Sequence, residues 1–260
     1  MKALAAAALL ALAAGAHAGR PCEDKPPTAR QIEQGLALAQ ATARALDATG
    51  AQVVLLARAG QDLSKYGLQW SHLGFVYRDE SRQPAVWRVM HKLNHCGTDV
   101  AALYRQGLGE FFLDAPYRYE AAYVVLQPEL QQALLPVLTD NRRVARLNER
   151  RYSLVAYPFA TTYQQSNQWV LETLASAAAP GINNRQDAQA WLRARGYAPT
   201  DLRLSPLTRL GGRLTQANIA FDDHPGPRRF TSHIDTVTVD SLFAWLPSIQ
   251  LSDTPHIVRK

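Results

Sequence analysis

Residues 71–94 read SHLGFVYRDESRQPAVWRVMHKLN, and the fold turns on them. Ser71 to Asp79 is an apolar run of strand length. Ala85 to Asn94 is a second such run, in which Val86, Arg88 and Met90 alternate with Trp87, Val89 and His91. That two-residue period is the pattern of a half-buried strand. If the two strands pair antiparallel, the start of one meets the end of the other. His72 and His91, nineteen positions apart, would then share an edge.

Outward from this pair the same reading gives more strands. AQVVLLARAG (51–60) is a buried strand, EAAYVVLQP (120–128) a fourth, and RYSLVAYPFA (151–160) a fifth, broken at Pro158. A late strand is expected over Thr236–Val239. Helices are expected after the Thr28 cap, with Gln31 at the reciprocal position and Gly50 as the stop. Others are expected over Asp99–Gln106, from Pro128 with Pro136 kinking or ending it, and from Ser166 to the Pro180–Gly181 stop. A helix capped at Asn184 and a short last one capped by Asp240 or Ser241 follow, in an otherwise loop-rich tail. Strands cluster without strict alternation with helices. The expected fold is therefore α+β, a central antiparallel sheet with packed helices.

The first eighteen residues read as an export signal. Lys2 is followed by the Ala/Leu run Ala3–Ala14, and Ala16-His17-Ala18 suits cleavage. The run is too short to span a bilayer, and Gly19-Arg20-Pro21 before Cys22 is not a lipid-attachment site. Residues 19–260 are expected to form one α+β domain: a core over about 50–178 and an extension over about 180–260. With 47% hydrophobic and 19% charged residues the composition is globular. The net charge of +6 suits an anionic surface such as a cell-wall or envelope component. No Lys/Arg block with interleaved aromatics points to nucleic acid. The two cysteines, Cys22 and Cys96, are expected to form a disulfide in an oxidising compartment; the rival role for Cys96, beside His95, is a catalytic thiol.

Three residues carry the candidate chemistry. His72 opens a strand, where a base can reach a cleft at the sheet's end; its bland role is a backbone-bonded surface histidine. His91, or else Asn94, can fix the orientation of that imidazole. Ser166 opens a helix, whose positive dipole end and free N–H groups favour developing negative charge. The plain alternative is that Ser166 is only an N-cap. Asn94, Tyr163 and Asn167 are the candidate binding residues. Asp222, Asp223, His224, His233 and Asp235 are metal-ligand types, but their spacing fits no metal motif and reads as a solvated loop. No metal or cofactor is expected.

The strings VVLLARAGQDLSKYGLQWSHLGFVYRD, HKLNHCG, LYRQGLGEFF, SNQWVLETLA, FDDHP and TVTVDSLFAWL resemble the bacterial DUF2145 family, a domain of unknown function. More distantly, the order of a His-bearing strand before a helix opened by a small nucleophile resembles circularly permuted papain-like proteins of the NlpC type. That resemblance covers about Val53 to Leu174. It implies Ser166 at the nucleophile's position, His72 as base and His91 or Asn94 as orienting residue. It implies a hydrolase or acyltransferase acting on amide or ester bonds, or a non-catalytic envelope protein binding a peptide, glycan or lipid in the same groove. The departure is serine in place of cysteine: a hydroxyl is far less acidic than a thiol and must lose its proton during attack.

Overall fold

A computed structural model describes residues 26–114 and 116–260. The fold is α+β. Six antiparallel strands make the central sheet: β1 (Val53–Ala59), β2 (His72–Asp79), β3 (Val86–Asn94), β4 (Ala101–Gly107), β5 (Arg118–Val125) and β8 (His256–Arg259), ordered β4-β3-β2-β1-β5-β8. β6 (Thr200–Arg203) and β7 (His233–Thr236) pair separately. The helices are α1 (Ala29–Asp47), α2 (Leu108–Phe112), α3 (Pro128–Leu138), α4 (Asn141–Val144), α5 (Ser166–Ala178), α6 (Arg185–Ala194), α7 (Pro206–Thr215), α8 (Gly226–Arg229) and α9 (Val239–Ser248). None is long and apolar enough to cross a membrane.

β2 and β3 pair antiparallel as expected, with Phe75 opposite Met90. Because side chains alternate along a strand, the sheet has two distinct faces. Leu55, Ala57, Leu73, Phe75, Met90 and Val124 point to the face covered by α3, α5 and α9. There Trp169 of α5 meets Phe75 edge-on, with ring centres 5.7 Å apart. Val54, Leu56, Val76, Val89 and Ala121 point to the opposite face, under α1 and α2. With both faces covered, all seven residues of β1 are buried. This explains why VVLLARA reads as a continuous run rather than an alternation. The α1–α2 crossing depends on Gly35, where a Cβ would stand 2.9 Å from the Phe112 carbonyl.

Several elements differ from the sequence reading. Asp99–Gln106, expected as a helix, contains most of β4, which pairs with β3 from Asn94↔Ala101 to Arg88↔Gly107. The unpaired edge of β3 overrides local helix preference. RYSLVAYPFA is not a strand. Arg151 makes a single bridge to Val100, and with β4 on that edge no ladder remains for the rest. Its N–H and hydroxyl groups turn instead to the 218–220 loop, through Leu154 N–H to Asn218 and Ser153 Oγ to Ala220. The late strand lies earlier than expected, because Thr238 caps α9 in a reciprocal box with Ser241. Asp240 is not the cap; its carboxylate accepts the N–H groups of Gln69 and Trp70. The tail is more ordered than its loop-rich composition suggests. β8 extends the central sheet beside β5, and Val239, Leu242 and Leu246 of α9 enter the main core.

Candidate functional site

The two imidazoles come together. His72 opens β2 directly across from Arg58 of β1. His91 packs against Gly74, where a Cβ would sit 3.1 Å from its own. His72 Nε2 lies 2.8 Å from His91 Nδ1, and His91 Nε2 lies 2.7 Å from Gln106 Oε1. Gln106 Nε2 in turn donates to the Glu110 carboxylate at 2.9 Å. These bonds fix one tautomer. A carboxylate only accepts, so the Gln106 amide points its nitrogen at Glu110 and its oxygen at His91. His91 must then carry its proton on Nε2, and its bare Nδ1 accepts from His72 Nε2–H. The pair is neutral: burial and then the nearby Arg58 charge push His72 well below the usual histidine value and His91 down to about 4. Arg58 is itself buried over the Phe111 ring, bonded to the Phe111 carbonyl and paired with Asp114.

Ser166 belongs to a different element. It is the first residue of α5, but the cap is Gln165, whose Oε1 accepts the Asn167 N–H at 3.2 Å. The Gln165 amide also donates to Thr236 Oγ1 and the Val237 carbonyl. The capping role expected for Ser166 therefore belongs to its neighbour. The Ser166 hydroxyl and N–H face the Tyr152 phenol, which burial pushes up while Ser166 opposes the shift. Behind them lies a buried polar network. Glu172 accepts from Gln164, Gln168, Gln189 and Arg185. Lys92 donates to Gln164 and the Glu149 carbonyl, and burial with the Arg185 charge brings it down to about 7. This network anchors the segment leading into α5.

Sheet alternation puts the histidines on one face and α5 on the other. Arg58, His72 and His91 lie on the α1/α2 face, around Phe111. α5 packs on the other face. Among the described residues no hydrogen bond joins Ser166 to either imidazole. His72 and Ser166 share the lining of one cavity of about 360 Å3 at the sheet's end. Its walls are mostly apolar, including Leu63, Leu68, Trp70, Leu202, Leu204 and Val237, with Thr208 and Gly212 of α7 on one side. Tyr152, Ser166 and Asn167 are among its polar lining residues, with His72, Gln165 and Thr236. Asn167 is 6% exposed, and among the described residues its side-chain oxygen has no hydrogen-bond partner.

The remaining candidates have hydrogen-bond partners of their own. Asn94 does not orient His72. It donates to the Thr98 and Val100 carbonyls and accepts from Asn218, closing the turn after β3. The Tyr163 hydroxyl donates to Asp222 beneath the Arg151 guanidinium. FDDHP is not a solvated loop: buried His224 bridges the Asp223 carboxylate and the Asp235 carbonyl, and Asp223 accepts the Tyr157 N–H. His233 pairs with Asp201 instead. Cys96 lies in the turn after β3; Cys22 and the expected signal lie outside the described residues. Sequence reading missed Arg58, Gln106, Tyr152 and the cavity walls from 202–221. Their spacings carry no motif, and only the fold assembles them.

A family model described as an uncharacterized protein conserved in bacteria (DUF2145) matches residues 45–246. No curated protein and no solved structure matches the chain.

Proposed function

The chain belongs to the bacterial DUF2145 family, whose description assigns no activity, and we propose that it binds a single-chain amphiphile in the cavity at the start of β2. The apolar chain lies against Leu204 and its neighbours, and the head group meets Tyr152, Ser166 and Asn167. One observation carries this reading: a mostly apolar cavity whose lining includes Asn167, a buried residue whose side-chain oxygen has no hydrogen-bond partner among the described residues. Such an orphaned acceptor costs about 1–3 kcal/mol. A head-group hydroxyl or amide N–H would satisfy it once the Asn167 side chain turns toward the cavity. The positive end of the α5 dipole favours a head-group oxygen beside it. The volume falls in the range of small-molecule pockets.

Monolaurin, titrated below its micelle concentration against the purified chain, tests this by calorimetry. Saturable one-to-one binding is expected. Thr208→Trp, which fills the cavity from an exposed helix position, should weaken it at least tenfold without lowering Tm. Absence of saturable binding, or equal binding by Thr208→Trp, overturns the proposal.

A hydrolytic reading has one observation in its favour: His72 lines the same cavity as Ser166. In it Ser166 attacks an amide or ester and His72 takes the proton, as a permuted papain-like core would require. The His72 Nε2–H is held by His91, which leaves Nδ1 of the same ring as the atom that would take the proton. Fluorophosphonate labelling of the wild type that is lost in Ser166→Ala would establish this reading, and no labelling would exclude it. Export to the periplasm or beyond, attachment to the envelope and a Cys22–Cys96 disulfide belong to the same proposal, supported by the leader-like residues 1–18 and by a cysteine count of two. Two free thiols in denatured, oxidised protein would contradict the disulfide.

A further inference from the structure

α7 has three sides. Thr208 and Gly212 line the cavity. Leu207, Leu210 and Leu214 recur at helical spacing on a second side and are 81%, 54% and 62% exposed. Arg209 and Arg213 lie on the third. Arg209 donates to the Arg228, Arg229 and Thr231 carbonyls. Those bonds hold the α8 turn against α7 and present Phe230, 85% exposed, beside the leucines. A groove between the two has Leu210, Arg213, Phe221, Arg229 and Phe230 in its lining, with Asp222 its one acidic residue among those described.

Scattered exposed leucines need no explanation, but a stripe of three with an adjacent exposed phenylalanine does. Charge indicates what covers it. Among the described residues no carboxylate pairs with Arg209, Arg213 or Arg229, whereas neighbouring Arg228 is paired with Asp201 and Asp235. The Arg229 guanidinium donates to the Asp222 carbonyl, and exposed apolar side chains flanked by arginines without a carboxylate partner are the composition of a helix that lies in the interface of an anionic bilayer.

We propose that α7 and Phe230 dock the protein on an anionic phospholipid surface, with Leu207, Leu210, Leu214 and Phe230 entering the acyl boundary and Arg213 and Arg229 meeting the phosphates. The docked helix is also a wall of the cavity, so a bilayer amphiphile would have a short path inside. The docking does not depend on that cavity being a binding site.

Co-sedimentation of the full chain with vesicles tests the docking. The protein partitions onto phosphatidylglycerol vesicles at low salt and much less onto phosphatidylcholine. Arg213→Gln lowers the partition onto the anionic vesicles about fivefold, the effect of about 1 kcal/mol per basic residue. Combined Leu207→Ser, Leu214→Ser and Phe230→Ser lowers it at least tenfold, with circular dichroism and Tm unchanged because none of the three is packed in the core. Wild type that ignores anionic vesicles, or a triple variant that binds as well as wild type, overturns the proposal. So does a wild-type dimer that the triple variant converts to monomer, since the patch would then cover a second copy.

Discussion

The start of α5 makes opposite predictions for two adjacent residues. A serine opening a helix invites the role of cap, yet the structure gives that role to Gln165. Gln165→Ala removes the side-chain bond to the Asn167 N–H, worth about 1 kcal/mol as a cap. It also removes two buried bonds to Thr236 and Val237, each worth about 1 kcal/mol. The sum is about 3 kcal/mol. Ser166→Ala removes only the interaction with the Tyr152 phenol, about 1 kcal/mol. In urea unfolding with a slope near 3 kcal/mol per molar, the midpoints should fall by about 1 M and 0.3 M. Ser166→Ala that destabilises as much as Gln165→Ala would refute this assignment of the cap.

Other predictions follow from groups whose surroundings are equally specific. Glu172→Leu leaves Arg185 buried without its carboxylate and should cost about 3–5 kcal/mol in equilibrium unfolding; adding Arg185→Met should recover part of the loss, and no recovery would argue against the pair. Gly74→Ala brings a Cβ to 3.0 Å from Val89 Cγ1 and 3.1 Å from His91 Cβ, so Tm should drop by the equivalent of about 1–3 kcal/mol. The imidazole pair predicts acid sensitivity. His72 and His91 bind protons more weakly folded than unfolded, so their contribution is complete above about 6.5 and is lost as pH falls toward about 4. Stability measured from pH 7 to 4 should decline over that window, and His91→Gln should flatten the decline.

Much of the sheet was legible in the sequence because its signal is local. Alternation in β3 and the continuous apolar run of β1 announce strands on their own, and the antiparallel β2–β3 pair brings His72 to His91. What escaped depended on distant partners. The residues of β4 carry no strand signal of their own and take that form because β3 offers an open edge. β8 is a short polar-flanked run that gains its ladder only from β5. The candidate site divided in the same way. The imidazole pair followed from strand geometry, whereas the meeting of Ser166 with His72 required knowing which sheet face α5 covers. Trp169 against Phe75 settles that, since Phe75 and His72 point to opposite faces. The cavity walls between 202 and 221 come from a tail whose elements are individually short. Nothing in their order forecasts that they close over the start of α5.

The most direct measurement follows the Asn167 side-chain amide resonance of the isotopically labelled chain while monolaurin is added. Binding in the cavity predicts a saturable shift of that resonance, accompanied by Ser166 and Trp70 and lost in Thr208→Trp. Saturation that leaves Asn167 and Trp70 unmoved while distant residues respond would contradict the account.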